Sequence, residues 1–420
     1  MQTNLADFIK DSPEGNEADT ILRTCVHCGF CLATCPTYQL LDDELDSPRG
    51  RIYLMKQVLE GQAATQKTQL HLDRCLTCRA CETVCPSGVR YGRLVDISRN
   101  IVEKQVGRSL GADIIRYTLR QVLPNPSIFG SLLKMGQIVR SLLPKRIRDS
   151  VPSKARDAGA WPSARHARKM LVLDGCVQPA MAPNINAAAA RILDKLGISL
   201  IKAENAGCCG AVSYHLNAQQ EGLDYMRRNV DAWWPHIENG VDLGIEAIAM
   251  TASGCGVTVK EYGYLLSHDN TYAKKAARIS ELSKDISEIL DAETKKLTPL
   301  LKNSMPSTNK SKLSFHSPCT LQHGLQIHGP VEKILTTAGF DLTFVQDAHL
   351  CCGAAGTYSI LQPQLSKQLL RNKIVELESS SPTQIVTANI GCLIHLQSGT
   401  PLTIKHWIEV LDEKLRGHYV

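Results

Sequence analysis

The sequence predicts an α+β protein of several domains, in which a helical, cysteine-bearing N-terminal domain precedes a duplicated α/β unit with parallel sheets. Three observations predict it. Eight of the 16 cysteines crowd into two short runs between residues 25 and 85. Beyond residue 168, apolar β-type runs alternate with amphipathic helical ones, the order that builds a parallel sheet with crossover helices. That order then occurs a second time, with a Cys-Cys-Gly turn at the same place in each copy.

A chain of 420 residues exceeds what one core ordinarily holds, and 43% hydrophobic with 21% charged residues is ordinary globular composition. A formal charge of +6 on this length is mild and gives no reason to expect a nucleic-acid partner. The opening MQTNLADFIKDSPEGNEAD lacks the basic and apolar regions of a secretory signal, so the chain is expected in the cytoplasm. No apolar run approaches the roughly 18 residues of a membrane span, which leaves peripheral contact with the inner face of the membrane or contact through a partner. In a reducing cytosol, disulfides explain 16 cysteines poorly, and metal or redox chemistry explains them better.

The N-terminal runs are CVHCGFCLATCP (Cys25, Cys28, Cys31, Cys35) and CLTCRACETVCP (Cys75, Cys78, Cys81, Cys85). Each reads C-x2-C-x2-C-x3-C-P, the two-cluster ferredoxin pattern, in which the fourth cysteine of a run ligates the other cluster. That rule gives one [4Fe–4S] cluster to Cys25, Cys28, Cys31 and Cys85, and a second to Cys75, Cys78, Cys81 and Cys35. A zinc ribbon is the rival, but four cysteines in one tight run suit a cluster better than a tetrahedral ion. The 39 residues between the runs include SPRGRIYLMKQVLEG, where Ser47 as N-cap and Pro48 at the first helical position open a helix. Helices, rather than the hairpins of a small free ferredoxin, therefore hold the runs together. Arg49 and Arg51 either tune the clusters or meet a partner, or they form a solvated helix start.

Residues 101 to 168 carry no cysteine. They show helical periodicity in IIRYTLRQVL and SLLKMGQIVRSLL and end in a basic, Pro-containing segment. The expected division is 1–105 for the ferredoxin-like domain, 106–168 for the helical and basic connection, 169–300 for the first cysteine-rich unit and 301–420 for the second. In the first unit the strand KMLVLDGC leads to Cys176, the helix NINAAAARILDKLG stops at Gly197, and ISLIKA is the second strand. The AGCCGA turn, a long helical stretch through YHLNAQQEGLDYMRRNVDAWWPHI and the strand EAIAMTA, which ends at SGCG, complete it. In the second, KLSFHSPC, PVEKILTTAG, DLTFVQ, the CCG turn, LSKQLLRNKIVELES and QIVTANIGC follow in the same order. Cys176 to Cys208 and Cys319 to Cys351 are both 32 residues apart. The later intervals, 46 residues to Cys255 and 40 to Cys392, differ where the first copy's helix is longer.

Strand ends and the loop after the second strand converge on one crevice in a parallel sheet. Cys176, Cys208, Cys209 and Cys255 are therefore expected to meet at one metal site, and Cys319, Cys351, Cys352 and Cys392 at another. Adjacent residues cannot both face inward from a regular strand, so the glycines beside each pair are expected to permit an irregular turn. A vicinal disulfide or plain core cysteines are the rival readings. Other signals are weak. SGCGVTV lacks the third glycine of a dinucleotide fingerprint, no P-loop or G-x-S-x-G motif occurs, and no catalytic residue is assigned. His316, His323 and His395 near the second site, and His215 near the first, are expected more as structural histidines than as ligands. Trp233 and Trp234 are expected to pack.

Two ferredoxin runs followed by two CCG units make a combination that resembles the iron–sulfur subunits of the cysteine-rich CCG family. That family includes the C subunit of anaerobic glycerol-3-phosphate dehydrogenase and heterodisulfide reductase subunits. ADTILRTCVHCGFCLATCPTYQLL, DSPRGRIYLMKQVLEG, HLDRCLTCRACETVCPSGVRYGRL, AGCCGAVSYHLNAQ and VTANIGCLIH look most like the bacterial glycolate oxidase iron–sulfur subunits. The resemblance covers nearly the whole chain. It implies that separate flavin-binding subunits, which carry the FAD, oxidise glycolate to glyoxylate, while this chain passes electrons toward a quinone-type acceptor. The alternative is a heterodisulfide-reductase-like subunit or one serving another 2-hydroxy-acid or glycerol-3-phosphate dehydrogenase. Heterodisulfide reductases hold non-cubane clusters with a final C-x-x-C, whereas Thr258 and His395 stand here in place of the second cysteine. Each copy then offers four thiolates, which leaves an additional cluster, a zinc ion or a reactive thiol pair open.

Overall fold

The computed structural model describes residues 1–142, 144, 152, 154–238, 244–303 and 311–417. In the N-terminal domain, helices Pro13–Thr24, Pro48–Leu59, Gln66–Asp73 and Tyr91–Val106 bury Leu22, Met55, Leu59, Leu72 and Leu94 in one core. The first two begin alike: Ser12 and Ser47 accept the amides of Gly15 and Gly50, and proline occupies the first turn, where its missing N–H costs nothing. Arg51 is no solvated helix start. It is buried, donates to Asp46 at 3.0 Å and to the His71 carbonyl at 2.7 Å, while Arg74 reaches the other Asp46 oxygen at 2.7 Å. Arg49, by contrast, is part-exposed and paired with Glu44 at 2.8 Å.

The predicted helices of the connection are present as Leu110–Val122 and Pro126–Val139, and neither buries a single residue. Leu110, Ile114, Tyr117, Met135, Ile138 and Leu142 are exposed. No helix among the described residues is long and apolar enough to cross a membrane.

The duplication extends to topology. β1 (Arg168–Val172), β2 (Ile198–Lys202), β3 (Ile245–Met250) and β4 (Ser283–Asp285) form a parallel sheet in the order β2-β1-β3-β4. β5 (Lys312–His316), β6 (Asp341–Leu342), β7 (Gln384–Thr387) and β8 (Ile404–His406) form a second parallel sheet in the corresponding order β6-β5-β7-β8. The sequence pattern marks three strands per copy but not the edge strands β4 and β8, whose three residues are too short for a period-2 pattern to register. It also joins two helices: the stretch after the first CCG turn breaks into Ala211–His215 and Gln219–Glu238 at Asn217, whose φ of 64° is left-handed.

The two units share one apolar core, in which Ile185, Ile192 and Leu193 of the first pack with Trp407, Val410 and Leu411 of the second. Its rim is polar. Arg191 grips Asp412 through Nε and Nη2, the shorter contact being 2.8 Å, and Ser253 meets Thr320 at 2.7 Å. The N-terminal domain docks on both units through Arg79–Glu261, Thr83–His323 (2.9 Å), Asp96–His215 (3.1 Å) and the Tyr358 hydroxyl on the Arg74 carbonyl (3.1 Å). Arg191→Met leaves the buried Asp412 with Arg416 as its remaining partner at 3.1 Å. The expected loss is about 2–3 kcal/mol, read as a lower urea midpoint; an unchanged midpoint would show that the pair does not hold the units together.

Candidate metal centres

The two N-terminal runs fold alike because left-handed residues fall at the same two places in each: His27 and Gly29 in the first, Thr77 and Arg79 in the second. These reversals curl three cysteines around a point instead of spacing them along a helix. Cys25, Cys28 and Cys31 line one small cavity together with Cys85, which arrives from the other run, and Cys81. The Cys35 Sγ lies 3.3 Å from the Thr37 hydroxyl, and its charge acts on Cys31 of its own run and on Cys78 and Cys81 of the other, which group with Cys75. Cys85 thus stands beside the first three cysteines of the other run, and Cys35 lies within electrostatic reach of Cys78 and Cys81.

Amides and a hydroxyl point at these sulfurs. The Thr77 and Val89 N–H groups lie 3.4 Å from Cys75 and Cys85, and the Tyr91 hydroxyl 3.7 Å from Cys75. Burial pushes the Cys31 thiol up to about 11 and those of Cys78 and Cys81 well above the ordinary value. Thiols crowded in a dry site resist ionisation, so a bound cation is what makes them thiolates. The donor set therefore fits a metal cluster.

In each α/β unit the paired cysteines sit on the turn after the second strand. Gly210 and Gly353 both have φ of +90°, and a Cβ there would lie 2.5 Å from the Gly222 carbonyl oxygen and 2.7 Å from that of Ser366. Only glycine fits this turn. Asn229 donates to the Cys208 carbonyl at 2.9 Å and Tyr262 to that of Cys209 at 2.8 Å, so the first turn is fixed from below. Both sulfurs then face one way. Cys208 contacts Cys176 and Cys209, and Cys209 contacts Cys255. In the second unit Cys319 lies 3.8 Å from Cys351, Cys351 contacts Cys352, and Cys352 contacts Cys392. All 16 cysteines are free thiols, against the vicinal-disulfide reading. Cys255 and Cys392 come not from strand ends but from the first turns of helices Ser253–Lys260 and Ile390–Gln397.

The histidines divide. His215 and His323 tie the domains together, His323 bonding the His349 carbonyl with its second nitrogen, and His395 meets Ser366 at 3.2 Å. His316 stands apart, buried beside Cys352 and Cys392, where burial, Lys373 and His395 push it down to about 3. Trp233 is core, as expected.

Two features were not legible in the sequence. The units enclose a cavity of about 1640 Å³ whose walls include Cys75 and Cys78, all four cysteines of the first CCG set, and Cys319, Cys351 and Cys392 of the second. Beside it, Leu76, Leu40, Leu41, Tyr358, Leu365 and Leu369 form an apolar joint around Cys78, Cys319 and Cys351. The second N-terminal cysteine group and the second CCG group are therefore neighbours, close enough for Cys78 and Cys319 to act on each other's charge.

Fold and cysteine geometry define an iron–sulfur subunit built from a dicluster domain and paired cysteine-rich domains. Residues 21–89 match the family described as 4Fe-4S dicluster domain, and residues 170–260 and 313–397 each match Cysteine-rich domain. The chain is 55% identical to the glycolate oxidase iron-sulfur subunit of Escherichia coli (strain K12) across 99% of both chains. It is 30% identical to a "Probable glycolate oxidase iron-sulfur subunit" of Bacillus subtilis (strain 168), over 90% of this chain and 89% of that one. Lactate utilization protein A of Bacillus licheniformis is 22% identical over 57% of this chain and 97% of its own length. The chain belongs to the family of glycolate oxidase iron–sulfur subunits, the electron-transfer part of an oxidoreductase complex.

The geometry predicts how ligand losses group. Cys28→Ser and Cys85→Ser are expected to remove one and the same [4Fe–4S] signal from the EPR spectrum, and Cys78→Ser and Cys35→Ser the other. A spectrum in which Cys35→Ser matches Cys28→Ser would contradict the exchange of fourth cysteines.

Proposed function

We propose that this chain receives electrons from a flavin-bearing partner that oxidises glycolate to glyoxylate and delivers them toward the CCG cysteines and a quinone-type acceptor. The division into 1–105, 106–168, 169–300 and 301–420 belongs to this reading, as does the assignment of Cys25, Cys28, Cys31 and Cys85 to one cluster and Cys35, Cys75, Cys78 and Cys81 to the other. The observation that carries it is the apolar joint at Leu76, where Cys78 meets Cys319. Two [4Fe–4S] clusters, when bound at these groups, supply one-electron carriers.

The chain's own residues bind, tune and insulate. The eight N-terminal cysteines hold the carriers. The Thr77 and Val89 amides and the Tyr91 hydroxyl place positive dipole ends at Cys75 and Cys85, and the buried Arg51 adds a full charge close to Cys35 and Cys75. Donors and cations at ligand sulfurs favour the reduced, more negative state. Leu40, Leu41, Leu76 and Leu369 keep water out of the joint.

An acceptor with an apolar ring system is supported by Phe129, Leu132, Leu133 and Met181 in the wall of the central cavity. Peripheral docking on the inner face of the cytoplasmic membrane is supported by the exposed apolar residues of Leu110–Val122 and Pro126–Val139, close to that cavity. The CCG cysteines serve here as sites for a further cluster or for zinc, since four sulfur donors in contact suit both.

In the assembled complex, Cys28→Ser and Cys78→Ser are each expected to reduce glycolate-dependent reduction of a quinone analogue to background, with flavin content unchanged. Full turnover in both variants would sink the proposal. Replacing Ile114 and Ile138 together by Glu is expected to move the complex from anionic lipid vesicles into the soluble fraction; retention on the vesicles would refute peripheral docking through these helices.

A further inference from the structure

The two CCG sites share their thiols but not their surroundings. At the same spacing from the first cysteine of each copy, Leu173 in the first is replaced by His316 in the second. Counted from the third cysteine of each copy, Thr258 is replaced by His395, and with Gly222 set opposite Ser366, Asn229 is replaced by Lys373. Leu173 is an ordinary core residue, 4% exposed. His316 is buried more deeply still, at 2%, in a place that a leucine fills in the other copy.

His316 ends β5 and pairs in register with Thr387 of β7. Its Nδ1 lies 2.9 Å from the Thr387 hydroxyl. Nε2 is buried and has no hydrogen-bond partner among the described residues. An imidazole nitrogen left unpaired in a dry core is costly to keep unless something binds it. A ring nitrogen of His316 and the sulfurs of Cys352 and Cys392 all lie within 4.8 Å of one another. Ligands to one tetrahedral ion, at bonds of about 2.1 Å to nitrogen and 2.3 Å to sulfur, stand about 3.6 Å apart, so the three atoms close on an ion with modest shifts.

We propose that His316 is a nitrogen ligand to the metal centre held by Cys352 and Cys392, giving the second CCG site a mixed nitrogen and sulfur coordination that the first lacks. The inference rests on the reading that the CCG thiols hold metal. Thiolates with an imidazole suit a borderline-soft ion, either zinc or iron within a cluster. Thr387 accepts the Nδ1 proton, which fixes the ring and leaves the Nε2 lone pair for the metal, the usual arrangement for a ligating histidine. Imidazole is a neutral donor. Together with the nearby Lys373 ammonium, it makes the second site less negative than the first, and for iron such a ligand raises the reduction potential. The site next to Cys78 is thereby the more electron-accepting of the two.

The test uses the full complex, purified anaerobically from cells fed 15N-histidine or unlabelled histidine. Metal content is measured, with pulsed EPR for a paramagnetic centre and X-ray absorption at the zinc edge for zinc. His316→Ala is expected to lose the same metal as Cys352→Ser, while the N-terminal irons remain. His316→Cys is expected to retain the metal and lose the histidine nitrogen signature, which separates ligation from folding. Metal beyond the N-terminal irons that shows no histidine nitrogen and is unchanged in His316→Ala overturns this proposal alone. A wild-type complex with no metal beyond about eight N-terminal irons overturns the CCG metal reading beneath it as well.

Discussion

Sulfur crowding governs this protein. Sixteen thiols are drawn into four groups, and most are buried. Thiolates packed against one another repel and lose their hydration, so no chain gathers them unless cations offset both costs. The rest of the architecture follows. Left-handed residues curl the N-terminal runs, Gly210 and Gly353 turn adjacent cysteines the same way, and two parallel sheets bring their loops to a shared cavity.

The duplication supplies the frame, and its departures from symmetry supply direction. Two units with corresponding strand orders pack through one core, which sets two similar cysteine mouths on the same cavity. The N-terminal domain brings Cys78 to the second mouth through the joint around Leu76. His316 and Lys373 lie buried behind that mouth, where Leu173 and Asn229 occupy the equivalent places in the first copy. In the proposed electron route, that mouth is the far end.

Much of this was legible in the residues, for identifiable reasons. C-x2-C-x2-C-x3-C-P fixes which cysteines can curl around one point, and the proline-opened helix after Ser47 was readable from its cap. The matched 32-residue intervals exposed the repeat before any strand was located. The edge strands β4 and β8 escaped because three residues carry no periodicity, and the break at Asn217 escaped because its left-handed turn lies inside an apolar helical pattern. Nearness of Cys78 to Cys319 depends on how separate units dock, which local sequence does not encode. His316 is the instructive case: setting the copies side by side places it opposite Leu173, yet only burial and an unpartnered Nε2 mark it as more than a structural histidine.

The central claim is that the N-terminal cysteines hold two electron-carrying clusters beside the CCG sites. The most direct measurement is iron, sulfide and zinc analysis of the anaerobically purified chain, with EPR of its reduced and oxidised forms. The account predicts at least about eight irons per chain and two [4Fe–4S] signals in the reduced form, with further iron or zinc assigned to the CCG cysteines. Zinc in place of iron at the N-terminal groups, with no reducible signal, would contradict it.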